Sequence, residues 1–128
     1  NIITDPEKAR AVANVSAGTA GWVDQIRNIA VLVGDRSYFA NAGNRHSIYV
    51  DATLSVMPFV LSLEAQGVST CLINWADDTA RRNRMARLLR LAPHQRVIIS
   101  IAFGYADPAS IAPFSKRKFN DEISRRVD

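Results

Sequence analysis

The chain has 128 residues, of which 48% are apolar and 22% are charged. This composition is typical of a soluble globular protein and excludes disordered and fibrous classes. The length supports one hydrophobic core but not two independent domains. The net charge is +4, and the excess lies in residues 67–128, where 11 Lys and Arg oppose 6 Asp and Glu.

Cysteine content and apolar run lengths bear on the compartment. One Cys cannot form an internal disulfide, so nothing indicates an oxidising environment. No uninterrupted apolar run has the roughly 18 residues of a membrane span, and no signal peptide is visible. We therefore expect a cytoplasmic protein without a membrane partner. Cys71 lies within an apolar run, which favours a buried, inert thiol over a nucleophile.

The first third of the chain predicts a helix, a strand and a loop. Thr4 and Glu7 have capping-box spacing, and apolar residues at helical intervals predict a helix over about 5–17. The apolar run 29–33 predicts a strand buried on both faces. Residues 35–45 are polar and predict a loop.

A long apolar helix is predicted next, over about 46–66. Its residues are weakly polar on every side, so we expect this helix to be nearly enclosed. Pro58 lies inside it and predicts a kink.

The rest of the chain continues the alternation of helices and strands, and Asp77 or Asp78 is expected to cap the third helix. The predicted elements are a strand, a helix, a strand, an extended arm and a short helix, over 68–73, 78–91, 97–103, 105–119 and 120–127. Taken alone, this alternation favours a layered α/β sheet with parallel strands.

Several common site signatures are missing from the sequence. It contains no Gly-rich phosphate loop, no dinucleotide fingerprint and no nucleophile elbow. Two His far apart and one Cys make a metal site unexpected. We assign neither a metal ligand nor a catalytic side chain.

Two basic clusters remain as candidate binding sites. The first is on the third helix, where five arginines are spread around most of the helix circumference: Arg81, Arg82, Arg84, Arg87 and Arg90. That spread favours a solvated face over an anionic or nucleic-acid partner. The second, Lys116–Lys118, precedes the predicted helix start at Asn120 and could grip a phosphate or form an ordinary surface turn.

Several short segments spread over essentially the whole chain form a pattern through their order and spacing. They are Ile3–Glu7, Ile29–Val33, Asp51–Leu54, Glu64–Cys71, Leu88–Pro93, Ile101–Tyr105 and Lys116–Ile123. Taken together, rather than by any one of them, these segments resemble the FMN-dependent nitroreductase family.

The resemblance implies an α+β, three-layer fold with a mostly antiparallel sheet around a buried central helix, and this replaces the parallel sheet as our expectation. It also implies a homodimer with FMN at the interface and electron transfer from NAD(P)H to a nitro, quinone or similar small-molecule acceptor. The flavin carries out hydride transfer itself, while the protein positions it. Residues 1–128 would form a single domain corresponding to the C-terminal two-thirds of the family fold, without its N-terminal third.

Carried over residue by residue, the resemblance assigns five positions to FMN. Lys116, Arg117 and Lys118 match a basic tail that pairs with the FMN phosphate. Asn74 and Trp75 fall where relatives bring their main chain close to the flavin ring. Trp75 could pack on the ring, block it, or form the rim of a dimer interface.

This sequence also departs from the family pattern, because it lacks the N-terminal Arg-Ser-x-Arg segment that grips the phosphate in relatives. The sequence is then either a fragment of a longer protein or a shortened member that has lost flavin. Two other functions stay open. One is a flavin-free binding or scaffold domain that keeps the dimer. The other is an anion or nucleic-acid binder that uses the Arg-rich helix.

Overall fold

The computed structural model describes residues 1–39, 41–111 and 116–127. Within them the chain forms four strands and four helices. In chain order these are β1 (Ile2–Ile3), α1 (Pro6–Val15), β2 (Asn28–Asp35), α2 (Ser47–Glu64), β3 (Ser69–Ile73), α3 (Thr79–Leu89), β4 (Gln95–Gly104) and α4 (Asn120–Ile123). Short 3-10 turns cover Val23–Gln25, Arg36–Tyr38 and Ala42–Asn44.

The four strands form one sheet in the order β1-β2-β4-β3, and every pairing is antiparallel. The parallel sheet suggested by the alternation of elements is therefore wrong, and the antiparallel sheet implied by the family resemblance is confirmed. Alternation indicates which segments are strands, but strand direction depends on pairings between residues far apart in sequence. Here β2 pairs with β4 across more than 60 residues, with a bulge between Leu32 and Val33.

One face of the sheet carries α1 and α3 and most of the hydrophobic core. Ala9, Val12 and Ala13 of α1 pack with Met85 of α3 against inward-facing strand residues such as Ile29. Small alanines let α1 approach the sheet closely. Beneath it, the buried hydroxyls of Ser16 and Ser100 lie 3.1 Å apart and form a hydrogen bond.

Among the described helices, α2 packs on the other face. Val56 belongs to the small buried cluster on this side, with Ala30 and Ile101 beneath it. Gly34 lets the helix approach: a Cβ placed there would lie 2.8 Å from the Cβ of Ile48. The expected near-enclosure of α2 is not found within this chain, because only Ile48 and Val56 of the helix are buried.

Two further sequence predictions are corrected by local geometry. The cap of α1 is Asp5 rather than Thr4: its carboxylate accepts the Lys8 amide at 2.8 Å, and Pro6 occupies the first turn. Cys71 is exposed rather than buried, and it lies in β3, the last strand in the sheet order among the described residues.

The predicted caps and arm at the C-terminal end have mixed outcomes. Asp78 caps α3 by accepting the Arg81 amide at 2.8 Å, as predicted. The last helix ends at Ile123, earlier than the predicted 127. Residues 112–115 of the predicted arm 105–119 lie outside the described residues.

Candidate functional site

The outer face of α2 is a continuous apolar stripe, made of Val50, Leu54, Met57 and Leu61. Their spacing of four, three and four residues places them on one side of the helix. Each is 57–70% exposed. Since isolated exposed apolar residues are ordinary but a contiguous stripe is not, this surface is suited to contact with another molecule or protein surface.

By length and composition alone, α2 could also cross a membrane, with 18 residues and a mean hydropathy of 1.2. Its inner face contacts β2, β3 and β4 of the sheet. A helix that packs in a folded domain passes the same test, so this feature is weak support for a membrane role.

Asn74 and Trp75 follow directly after β3, at the turn that leads to α3. Asn74 is exposed, and its carbonyl accepts a hydrogen bond from the Ala17 amide at 3.3 Å. Trp75 is half-buried and packs against the core on the α1 and α3 face. Its indole Nε1 is buried without a hydrogen-bond partner among the described residues. An enclosed, unpaired donor is uncommon in folded proteins, which marks this turn as unusual.

Lys116, Arg117 and Lys118 lie just before α4, and all three are exposed. The amide of the next residue, Phe119, donates to Glu122 Oε2 at 2.8 Å and so defines the start of the helix. Within the described part of the chain these three cations form no ion pair, so their charge is available to an anion.

The structure does not join the two groups of predicted site residues by direct bonds. Across the described ranges, no hydrogen bond or ion pair connects the basic residues 116–118 with Asn74 or Trp75. Asn74 and Trp75 are adjacent along one turn, whereas the basic residues lie on the segment that follows β4.

A cavity of about 370 Å³ lies between the end of β2 and the first half of α2. Asp35, Tyr38, Asp51 and Ser55 contribute its polar groups. The Ser37 hydroxyl and amide both donate to the Asp35 carboxylate and hold its pKa below the ordinary value, with smaller contributions from Gln95 and His94. Sequence reasoning missed this site, since Asp35 and Asp51 are 16 residues apart and no motif links them.

A larger cavity of about 730 Å³ lies where β3 begins and β4 ends. Trp22, Ile26, Cys71 and Tyr105 are among the residues that line it. The sequence did not predict this cavity, because the apolar run around Cys71 favoured a buried residue there.

Metal chemistry has no support in the described ranges 1–39, 41–111 and 116–127, where no cluster of three His, Cys, Asp or Glu could hold an ion. The polar groups of the candidate sites are instead cations, amides and isolated carboxylates.

The sequence matches the Nitroreductase family over residues 3–105, which is most of the chain and includes β2, β3, β4 and the first three helices in full. The chain belongs to the nitroreductase family. A search of curated proteins finds no significant match.

Solved structures agree with this nitroreductase assignment at the level of the fold. NfrA1 nitroreductase from B. subtilis superposes with a TM-score of 0.77 at 18% identity, covering 98% of this chain and 55% of that protein. An FMN-dependent nitroreductase from Clostridium difficile gives 0.69 at 18% identity, with coverages of 96% and 68%. A nitroreductase family protein from Streptococcus pneumoniae gives 0.72 at 19% identity, with coverages of 99% and 78%. Identities this low establish a shared fold only.

Proposed function

We propose that this nitroreductase-family chain is an FMN-dependent oxidoreductase that passes electrons from NAD(P)H to a nitro, quinone or similar small acceptor. The observation that carries the proposal is the family match over residues 3–105. One structural neighbour is itself described as FMN-dependent. The flavin, when bound, would accept and donate hydride, and this chain's residues would hold and orient it.

The basic residues 116–118 suit the phosphate end of FMN. They are exposed and consecutive, and they have no acidic partner among the described residues. Lys and Arg bind phosphate through charge-assisted hydrogen bonds, and Arg can do so with two parallel bonds. In the proposal these cations bind the phosphate of FMN, and the flavin ring contacts apolar surface elsewhere on the protein.

Asn74 and Trp75 are proposed to border the flavin ring through the turn that follows β3. The exposed Asn74 side chain is free to approach a ligand, whereas the Trp75 ring packs against the core. Direct stacking of Trp75 on the flavin would require its ring to leave that packing. We therefore propose that Trp75 acts by supporting the turn, with Asn74 closer to the cofactor.

The apolar stripe of α2 supports a homodimer as part of the same proposal. A second copy packed against Val50, Leu54, Met57 and Leu61 would remove four large exposed side chains from water. Sedimentation velocity over a concentration series tests this. Leu54→Asp should give monomers at concentrations where the unchanged chain dimerises, and a dimer that survives the change would place the interface elsewhere.

Flavin binding is the decisive experiment for function. The chain, titrated with FMN, should quench flavin fluorescence with a Kd in the micromolar range or tighter and then oxidise NADH or NADPH in the presence of a quinone. Replacing Lys116, Arg117 and Lys118 with Gln should weaken FMN binding at least tenfold. Arg36→Gln removes one cation outside this segment, near the end of β2, and should leave binding unchanged.

A flavin-free binding domain is the second candidate function, because the α2 stripe could form a dimer without a cofactor. The two candidates separate in the same experiments. A chain that dimerises through α2 but shows no saturable FMN binding would favour the scaffold and overturn the oxidoreductase.

A further inference from the structure

The arginines of α3 differ in whether an acidic group neutralises them. Arg81 pairs with Asp78, and Arg82 Nε lies 3.2 Å from Asp77 Oδ1. Arg84 and Arg87 are exposed and have no ion pair among the described residues. The helix therefore carries paired cations in its first turn and unpaired cations further along.

The two unpaired arginines border a groove between α1 and α3, on the face of the sheet opposite α2. The groove has a volume of about 500 Å³ and is lined by Ala11, Asn14, Arg84, Arg87 and Leu88. Asn14 projects from α1, so the polar groups come from both helices. Ala11 and Leu88 are half-buried and supply apolar surface.

The charges around the groove have one sign. α3 contains no acidic residue, and α1 contains only Glu7. Glu7 makes no ion pair with Arg84 or Arg87. Residues three apart on a helix are neighbours, so the two guanidinium groups can act on one anion together.

We propose that this groove binds a small organic phosphate ester of about the size of a nucleoside monophosphate. Two guanidinium groups provide paired donors for phosphate oxygens, and the Asn14 amide can donate or accept a further hydrogen bond. Ala11 and Leu88 would contact the organic part. The volume lies within the range of small-molecule sites. This site is independent of the proposed flavin site, since none of its residues belongs to the latter.

The test uses AMP as the probe, titrated into the full chain and followed by calorimetry. Arg84→Gln combined with Arg87→Gln should weaken AMP binding at least tenfold. Arg81→Gln combined with Arg82→Gln removes the same number of charges from the same helix at ion-paired positions and should change the affinity less than threefold. Asn14→Leu keeps both cations and should weaken binding several-fold. Circular dichroism checks that each variant is folded.

Four outcomes with these variants and ligands would overturn the proposal. One is the absence of saturable AMP binding at millimolar concentration, and another is an equal loss in the control that combines Arg81→Gln with Arg82→Gln. A third is inorganic phosphate binding as tightly as AMP, since the apolar lining would then contribute nothing. The last is a single-stranded oligonucleotide binding far more tightly than AMP through Arg84 and Arg87, which would make the groove part of a nucleic-acid surface.

A final arm separates this groove from the proposed flavin phosphate site. The variant with Gln at 116, 117 and 118 should bind AMP as the unchanged chain does. If it instead loses AMP binding while the Arg84 and Arg87 variant retains it, the phosphate site is the basic segment and the groove proposal is wrong.

Discussion

The two faces of the sheet differ in how much apolar surface is buried within one chain. The α1 and α3 face buries a cluster of twelve residues, including Val12, Ile29 and Met85. The α2 face buries a cluster of three and exposes an apolar stripe along the outside of the helix. Because the burial of apolar surface drives folding, packing on the first face stabilises the folded state of a single chain. The second retains apolar surface for another molecule, which is where we place the dimer contact.

Matched truncations on the two faces give the largest expected difference. Met85 is fully buried, and Met85→Ala should lower the free energy of unfolding by about 2–5 kcal/mol. Leu54 is 70% exposed, and Leu54→Ala should change it by less than about 0.5 kcal/mol in dilute solution, where chains are separate. Urea unfolding at two protein concentrations measures both.

The dependence of these stability losses on protein concentration distinguishes packing within one chain from packing between two chains. If α2 forms a dimer, the cost of Leu54→Ala should rise with protein concentration, because association stabilises the folded state. The cost of Met85→Ala should persist at every concentration. A large effect of Leu54→Ala in dilute chains would show that the outer face of α2 is already packed within one chain.

The close packing of α2 against the sheet can be tested at Gly34. Its added Cβ would meet the Ile48 Cβ at 2.8 Å, so Gly34→Ala must push α2 outward or distort β2. We expect a loss of about 1–3 kcal/mol in the free energy of unfolding. Gly104→Ala is the control in the same sheet, because among the described residues no atom beyond its chain neighbours lies within 4 Å of a Cβ there. Equal effects at the two positions would mean that the close approach of α2 does not matter for stability.

Local sequence pattern predicted the elements well and their environment less well. The apolar run 29–33 and the Asp78 cap depend on neighbouring residues, and both predictions are confirmed. Cys71 was misjudged because an apolar run does not reveal whether its strand is central or at an edge. The prediction that α2 is nearly enclosed was not met within one chain for a related reason. A helix that is apolar on all sides must be packed against other protein surface, but its sequence does not say which chain supplies that surface.

The candidate site was less accessible to sequence reasoning than the fold. The basic residues 116–118 were assigned through family resemblance, and their role in binding FMN stays a prediction. The α1 and α3 groove could not be located, since Asn14 and Arg84 are 70 residues apart and meet only through helix packing. Arg81 pairs with the cap residue Asp78 and Arg82 with the preceding Asp77, and these ion pairs, which distinguish them from Arg84 and Arg87, likewise depend on geometry.

The smallest expected effect is a pH dependence at the end of β2, where the α2 face holds its polar cavity. Hydrogen bonds from Ser37 are the main reason that the pKa of Asp35 lies below its ordinary value of 3.8. A pKa lowered by folding means that ionised Asp35 stabilises the folded chain above that value, and this contribution is lost as the pH falls through the folded pKa. Ser37→Ala should therefore reduce the urea midpoint slightly at pH 6 and much less near pH 2.

Ser55→Ala is the control for this measurement. Ser55 lines the same cavity, but its hydroxyl donates to the Ala52 carbonyl of its own helix at 2.7 Å. Its removal should shift the urea midpoint equally at both pH values. If Ser37→Ala behaves in the same way, Asp35 is not stabilised in its ionised form by Ser37. The polar end of the α2 face would then contribute nothing pH-dependent to stability, and the contrast between the two faces would rest on apolar packing alone.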